Sequence, residues 1–303
     1  MTPSKWERLR TEARNPATRN IDTLPIDGIV RLMTRDVRHA FDAVQREQAA
    51  ISRGVQLLVD ALQSHGRIVL VGAGTSGRLA VLEAAEMPPT FGVAPRTIVA
   101  IMAGGRGAVH RAKEGVEDDG PAGDRAIGRL RLGKHDVVIG VSASGVTPFV
   151  RGALTRARRA GAHVLGITCS QGSEMRKLVD VLVRLNAGPE VIAGSTRLKA
   201  GTATKIALNL LTTSAMIRIG KTYGNLMVDV QANSKKLRDR GTRIVSAISG
   251  LGYEDSLRLL KRAQWNVKTA IVMHKRRLTL GDAKAQLHAA AGSIRRALEP
   301  PPI

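Results

Sequence analysis

Four consecutive aliphatic residues, Ile68-Val69-Leu70-Val71, open directly into Gly72-Ala73-Gly74-Thr75-Ser76-Gly77 and then into a segment of helical character from near Arg78. An apolar run this short, without polar alternation, reads as a strand buried on both faces, the pattern of a parallel sheet covered by helices. The turn that follows is made of small residues. Glycines let the backbone approach a ligand closely, amides at a helix start point outward, and the Thr75 and Ser76 hydroxyls add neutral donors, so the turn suits an anion. Beyond it, Met87-Pro88-Pro89 is expected to end the helix, because proline lacks an amide hydrogen and crowds the preceding turn. Glu86 is then expected at a stiff corner beside a phosphate-sized site.

The same signature recurs along the chain. Apolar strands at 97–102, 136–141, 163–168 and 181–185 alternate with helical segments such as 147–160, and strands spaced by helices imply a parallel sheet with both faces covered. Ahead of the first strand, a polar, extended arm precedes apolar positions at Ile29, Leu32, Met33, Val37, Ala40, Phe41 and Val44, then Ile51, Val55, Leu58, Val59 and Leu62. Their spacing predicts two helices between 26 and 65. A long helix at 198–219 is followed by helices at 233–249, 253–263, 267–275 and 281–298. The expected organisation is an N-terminal arm with helices (1–65), an α/β domain with its following long helix (66–232) and a small C-terminal helical subdomain (233–303).

Composition narrows the class. A chain of 303 residues, 43% hydrophobic and 24% charged, is an ordinary globular one with ample core. No apolar run approaches the roughly 18 residues of a membrane span, and the first fifteen residues lack a signal peptide's apolar core, so the expected location is the cytoplasm, with no membrane partner. A single cysteine, Cys169, excludes an internal disulfide and a Cys-rich zinc site, and at the end of an apolar strand it reads as packing. The outlier is charge, 47 Lys and Arg against 25 acids, a formal net of +22. The basic residues are spread along helices and aromatic residues amount to only 2%, so no specific nucleic-acid partner is expected.

Three loops are read together: 72–78, 141–148 and 167–173, each a strand end rich in Gly, Ser and Thr. Any one alone is an ordinary tight connection. In a parallel sheet, however, the carboxyl ends of the strands share one edge, and the three loops then open on one crevice. No GxxxxGK[ST] run is present, and the Gly72-x-Gly74-x-x-Gly77 pattern lacks an acid for a ribose after the next strand, which ends in Ala103-Gly104-Gly105. A sugar phosphate is therefore preferred to a nucleotide. The candidate contacts are Thr75, Ser76, Gly77, Ser142, Ser144 and Thr147.

The segments GAGTSGRLAVLEAAEMPPTFGV, EGVEDD, SASGVTPFV, GSTRLKAGTATKIALN and YGNLMVDVQANSKKL resemble the N-acetylmuramic acid 6-phosphate etherases, of the sugar isomerase (SIS) domain superfamily, from about Thr11 to about Leu298. The resemblance implies an SIS-type parallel sheet sandwiched by helices, a homodimer and a carbon–oxygen lyase. It implies opening of the sugar to its aldehyde, removal of the C2 proton, expulsion of D-lactate from C3 and addition of water, with no metal or cofactor. Matched to the family's two catalytic glutamates are Glu86, on the ether and water side, and Glu117, at C2. Ser195, Arg197 and Lys199 are further expected to hold phosphate or the lactyl carboxylate. The glucokinase regulatory protein is similar and leads to the alternative, a non-catalytic sugar-phosphate sensor.

Residue by residue there are plainer readings. Glu86 also suits a plain helix end, which it would cap or solvate; Glu117 belongs to an acidic cluster with Glu114, Asp118 and Asp119, which usually marks an exposed face; and 195–199 suits a helix N-terminus. Glu83 is expected on the surface, and His110 in a surface loop. The chain departs from the family at Met33-Thr34-Arg35-Asp36-Val37 and at Arg106.

Overall fold

A computed structural model describes residues 11–171, 173–230 and 234–299. These fall into two compact units. One comprises the residues up to 85 together with 96–213, the other 86–95 together with those from 214 onward.

The first unit is built on five strands, β1 (Ile68–Gly72), β2 (Ile98–Met102), β3 (Val137–Val141), β4 (His163–Thr168) and β5 (Val181–Arg184), in the order β2-β1-β3-β4-β5. All are parallel. Every residue of β1 and β3 is buried, which is why these segments carry no polar alternation. Each expected strand is present to within one residue at either end.

Three helices, not the expected two, precede the sheet: α1 (Ile26–Asp36), α2 (Arg38–Arg46) and α3 (Gln48–Gln63). The breaks fall at Val37 and Glu47, where no Gly or Pro interrupts the sequence, so periodicity ran on through them. The arm ahead of them is not simply extended. It forms 3-10 turns at Pro16–Thr18 and Ile21–Thr23, and the Thr18 hydroxyl donates to the Val191 carbonyl at 2.9 Å while Gly194 N–H donates to the Thr11 carbonyl at 3.0 Å.

Helix α4 (Gly74–Phe91) follows β1. It starts four residues before the expected Arg78 and passes through Pro88 and Pro89 instead of ending there. The two prolines deprive the carbonyls of Ala84 and Ala85 of their donors, a cost of about 3 kcal/mol or more for an interior proline. Burial of Met87 and Phe91 on that stretch, each contributing roughly 1.5–3 kcal/mol, offsets part of it. The helix closes at Gly92, whose N–H bonds to the Pro88 carbonyl at 2.9 Å and whose φ of +62° favours glycine.

Short α5 (Gly107–His110) and α6 (Gly120–Gly128) lead to β3, and α7 (Pro148–Arg159) follows it. Asp119 caps α6 by accepting from Ala122 N–H at 2.8 Å. Helices α6 and α7 cross almost backbone to backbone: a Cβ on Gly123 would lie 2.0 Å from the Phe149 carbonyl oxygen, and one on Gly152 would lie 2.1 Å from that of Gly120. Long α8 (Lys199–Arg218) comes after β5.

The second unit contains a two-stranded hairpin, β6 (Thr222–Tyr223) and β7 (Leu226–Met227), and α9 (Lys235–Ser249), α10 (Tyr253–Arg262), α11 (Val267–Arg276), α12 (Leu280–Ala289) and α13 (Ile294–Leu298). The final expected helix is two, parted at Gly292, with φ of +74°, and restarted by Ser293, which caps α13. Its core gathers Val245, Leu260, Ile271 and Val272. Buried Lys268 donates to the carbonyls of Gly220 and Gly292 and pairs with Asp229; desolvation lowers its pKa, against the pull of Asp229.

Candidate active site

The strand register brings the three hydroxyl-rich loops to one edge. Gly72 pairs with Met102 on one side and Val141 on the other, and Val141 with Ile167, so the chain leaves β1, β2, β3 and β4 at one level. From β1 the order proceeds outward to β2, then returns across β1 to β3. That reversal opens a crevice between the loops after β1 and β3, the position where doubly wound sheets take their ligands.

The β1–α4 loop is tight because its glycines lie against backbone atoms. A Cβ on Gly77 would sit 2.7 Å from the Gly72 carbonyl oxygen, and one on Gly72 would sit 2.6 Å from the Gly77 nitrogen. Thr75 and Ser76 are half-buried on the first turn of α4. Their hydroxyls make no hydrogen bond with other described residues, which leaves two donors beside helix-start amides.

In the β3–α7 loop the hydroxyls are already occupied. Ser142 Oγ lies 2.7 Å from Thr147 Oγ1 and 3.4 Å from Ser144 Oγ, and it accepts from Gly145 N–H at 3.0 Å. Gly145 has φ of +74°, and a Cβ there would lie 2.2 Å from Ser173 Oγ, whose hydroxyl donates to the Gly145 carbonyl at 3.1 Å. The β3 and β4 loops are thereby fastened together, as is also done by Cys169 N–H donating to the Ala143 carbonyl at 2.9 Å. The Cys169 thiol is buried and pushed up to about 12 by desolvation, in keeping with packing.

Glu117 is attached to this same loop system by its backbone. Its carbonyl accepts from Phe149 N–H at 2.9 Å, one of the amides at the start of α7 that have no partner inside the helix. The preceding segment is held too: Arg78 of α4 donates to the carbonyls of Ala108 and Val109, both at 2.9 Å, and Lys113 donates to that of Gly104 at 3.0 Å. The Glu117 side chain is exposed by surface area, yet its carboxyl is raised above the usual range, first by desolvation from the surrounding chain and then by the charges of Asp118 and Glu114. Crowding of this kind suits a carboxylate that must accept a proton. His110 is exposed at the end of α5.

The start of α8 reaches the first loop. A Cβ on Gly201 would meet Thr75 Cγ2 at 3.6 Å. Of the candidates there, Ser195 is half-buried and Arg197 is exposed, with no side-chain partner among the described residues. Lys199 is different: only 3% exposed, it pairs with Asp36 of α1 at 2.7 Å, and Asn15 bonds both Asp36 and the Pro189 carbonyl. Buried Glu190 accepts from the amides of Lys199 and Ala200 at 3.1 and 2.8 Å, capping α8 with a carboxylate; burial raises its pKa, against those bonds and the Lys199 charge.

Glu86 is exposed on the later part of α4, in the second unit. Glu83, expected on the surface, is 1% exposed: Thr212 donates to its carboxylate, and Lys205, which also bonds Asn209, lies 3.5 Å from it. A signal was there to be read. Ala80, Glu83, Met87 and Phe91 follow helical spacing, and all are buried.

A five-stranded parallel sheet with hydroxyl-bearing loops at its switch point is the SIS-type architecture. The glucokinase regulatory protein N-terminal SIS domain matches residues 50–158, and the SIS domain matches residues 121–214. The chain is 45% identical over 97% of its length, and 99% of the relative's, to N-acetylmuramic acid 6-phosphate etherase of Geobacillus thermodenitrificans, and 44% identical over 95% of both chains to that of Cutibacterium acnes. Among solved structures, a phosphoheptose isomerase from Neisseria gonorrhoeae is 18% identical, covering 62% of this chain and 95% of its own, with a TM-score of 0.46. This chain belongs to the N-acetylmuramic acid 6-phosphate etherase family.

Proposed function

We propose that this chain is a lyase that cleaves the D-lactyl ether of N-acetylmuramic acid 6-phosphate, giving N-acetylglucosamine 6-phosphate and D-lactate in the recycling of cell-wall sugar. Family membership supports the reaction. The observation that carries the site is the bond from Phe149 N–H to the Glu117 carbonyl, which ties a carboxylate of raised pKa to the loop presenting Ser142, Ser144 and Thr147.

In this reading Thr75, Ser76, Gly77 and Ser144 take the 6-phosphate, on a pair of loops of which the second is held in shape by Ser142 and Thr147. The ring opens to the C1 aldehyde, which acidifies C2 by delocalising the electron pair left there, so no metal or cofactor is required. Glu117 accepts the C2 proton. The carbanion pair then forms the C2–C3 double bond as the C3–O bond breaks, and Glu86 gives its proton to the departing lactate oxygen. Now a carboxylate, Glu86 takes a proton from water as the hydroxyl adds to C3, and Glu117 returns its proton to C2. Ser195 and Arg197 hold phosphate or the lactyl carboxylate, with Lys199 fixing the helix start beneath them.

The chain is read as a cytoplasmic homodimer. Helix α1 buries none of its residues and presents Ile26, Val30 and Met33 to solvent at i, i+4, i+7 spacing, a stripe suited to a second copy. Among the described residues no helix is long and apolar enough to cross a membrane. The match to the glucokinase regulatory protein domain favours a sugar-phosphate sensor as the second reading. Purified protein supplied with N-acetylmuramic acid 6-phosphate separates the two: the lyase releases D-lactate stoichiometrically, whereas a sensor binds the sugar phosphate and releases none.

A further inference from the structure

At the outer edge of the sheet lies a cavity of about 160 Å³ lined by Glu47, the residue before α3, Ala50 and Arg53 of α3, Arg176 of the 3-10 helix Glu174–Lys177, and Leu182 and Arg184 of β5. Its floor is apolar, since Ala50 and Leu182 are buried. Its rim carries three guanidinium groups against one carboxylate. Several arginines of this unit have acceptors: Arg67 pairs with Asp136, Arg151 with Glu174, Arg158 with Asp180, and Arg78 bonds two carbonyls. Arg53, Arg176 and Arg184 have none among the described residues. Three like charges around one small concavity repel one another, and Glu47 balances only one of them.

We propose that this cavity is a second anion site, which takes a phosphate group between the three arginines. Guanidinium forks match phosphate oxygens two at a time, and an apolar floor with a charged rim strengthens each such bond by keeping water from beneath it. Size selects a small ligand. At roughly 30 Å³ per water, the space holds about five waters, enough for phosphate or the phosphate end of a phosphomonoester and too little for a polymer. The site is not an extension of the crevice: β5 lies two strands beyond β3, about 10 Å at the usual strand spacing. It is nevertheless linked to it, because Arg176 stands three residues after Ser173, whose hydroxyl bonds the Gly145 carbonyl of the β3–α7 loop.

The test is calorimetric titration of the full chain with inorganic phosphate and, separately, with glycerol 3-phosphate, at fixed ionic strength. Tighter binding of one or the other identifies the source as free phosphate or a phosphorylated metabolite. In the double variant Arg53→Gln/Arg184→Gln, the expected result is loss of one equivalent of binding or a weakening of about tenfold or more, while Ser76→Ala/Ser144→Ala leaves that equivalent intact. Glu47→Gln, which removes the opposing charge without disturbing the arginines, should tighten the same equivalent several-fold. Binding unchanged in both the arginine and the Glu47 variants, or abolished only by the serine variants, would overturn the proposal.

Discussion

The sheet-bearing unit holds two sets of polar side chains that look alike in sequence and differ in what they do. In one set every group is spoken for: Ser142 with Thr147 and Gly145, Glu83 with Thr212 and Lys205, Lys199 with Asp36. In the other, Thr75, Ser76 and Arg197 have no side-chain partner among the described residues. The contrast separates frame from contact. A satisfied buried group rigidifies the loop that carries it, and removing it exposes a desolvated partner; a free donor at the crevice costs the fold little and is available to a ligand.

The largest effect that can break this contrast is at Lys199, a ligand contact by its sequence and a member of the frame by its ion pair with Asp36. Lys199→Met leaves Asp36 half in the protein without its charge partner and should cost about 3–5 kcal/mol of stability, read by denaturant unfolding. A variant as stable as the parent but with a raised KM would move Lys199 into the contact set.

Next come the serines. Ser76→Ala should weaken N-acetylmuramic acid 6-phosphate binding by about 1.5–3 kcal/mol, the worth of a bond to a charged group, with stability unchanged; Ser142→Ala should instead lower stability by about 1 kcal/mol. Melting and binding measured on both variants give opposite patterns if the division holds, and the same pattern if it does not.

The smallest effect concerns pH. Glu117 must be a carboxylate to accept a proton, and its pKa lies above the usual 4.5 through desolvation, then Asp118 and Glu114. Asp118→Asn removes one of the raising charges, so the acid limb of the rate profile should move to lower pH by less than about one unit. The stability linkage has the matching sign. A raised folded pKa adds stability below the unfolded value and loses it as pH rises through the folded one, so the variant should show a flatter dependence there. An unmoved acid limb would place the rate-controlling base elsewhere, with Glu114 or His110 next in line.

Some of this was legible in the residues and some was not. The five strands stood out because a strand buried on both faces has no polar position to blur it, and the three loops followed from the strand ends. Glu83 was misread because a glutamate on a helix is usually solvated; only the spacing from Ala80 to Phe91 marked its face as the buried one. Helix α4 runs past the point where local proline chemistry would end it, because the stretch that carries the prolines also buries Met87 and Phe91. The anchoring of Glu117 on Phe149 lies beyond any local pattern, since it spans 32 residues and depends on α6 and α7 closing through Gly123 and Gly152.

The mechanism depends on the division of labour between the two glutamates, and exchange of the C2 proton tests it most directly. N-acetylmuramic acid 6-phosphate is incubated in deuterium oxide with the parent chain, Glu117→Gln and Glu86→Gln, and both deuterium at C2 and free D-lactate are followed. Glu117→Gln should abolish exchange and release together, because a neutral amide cannot take the proton; Glu86→Gln should stop release while exchange at C2 persists. Exchange surviving in Glu117→Gln, or lactate released at the parent rate by Glu86→Gln, would contradict it.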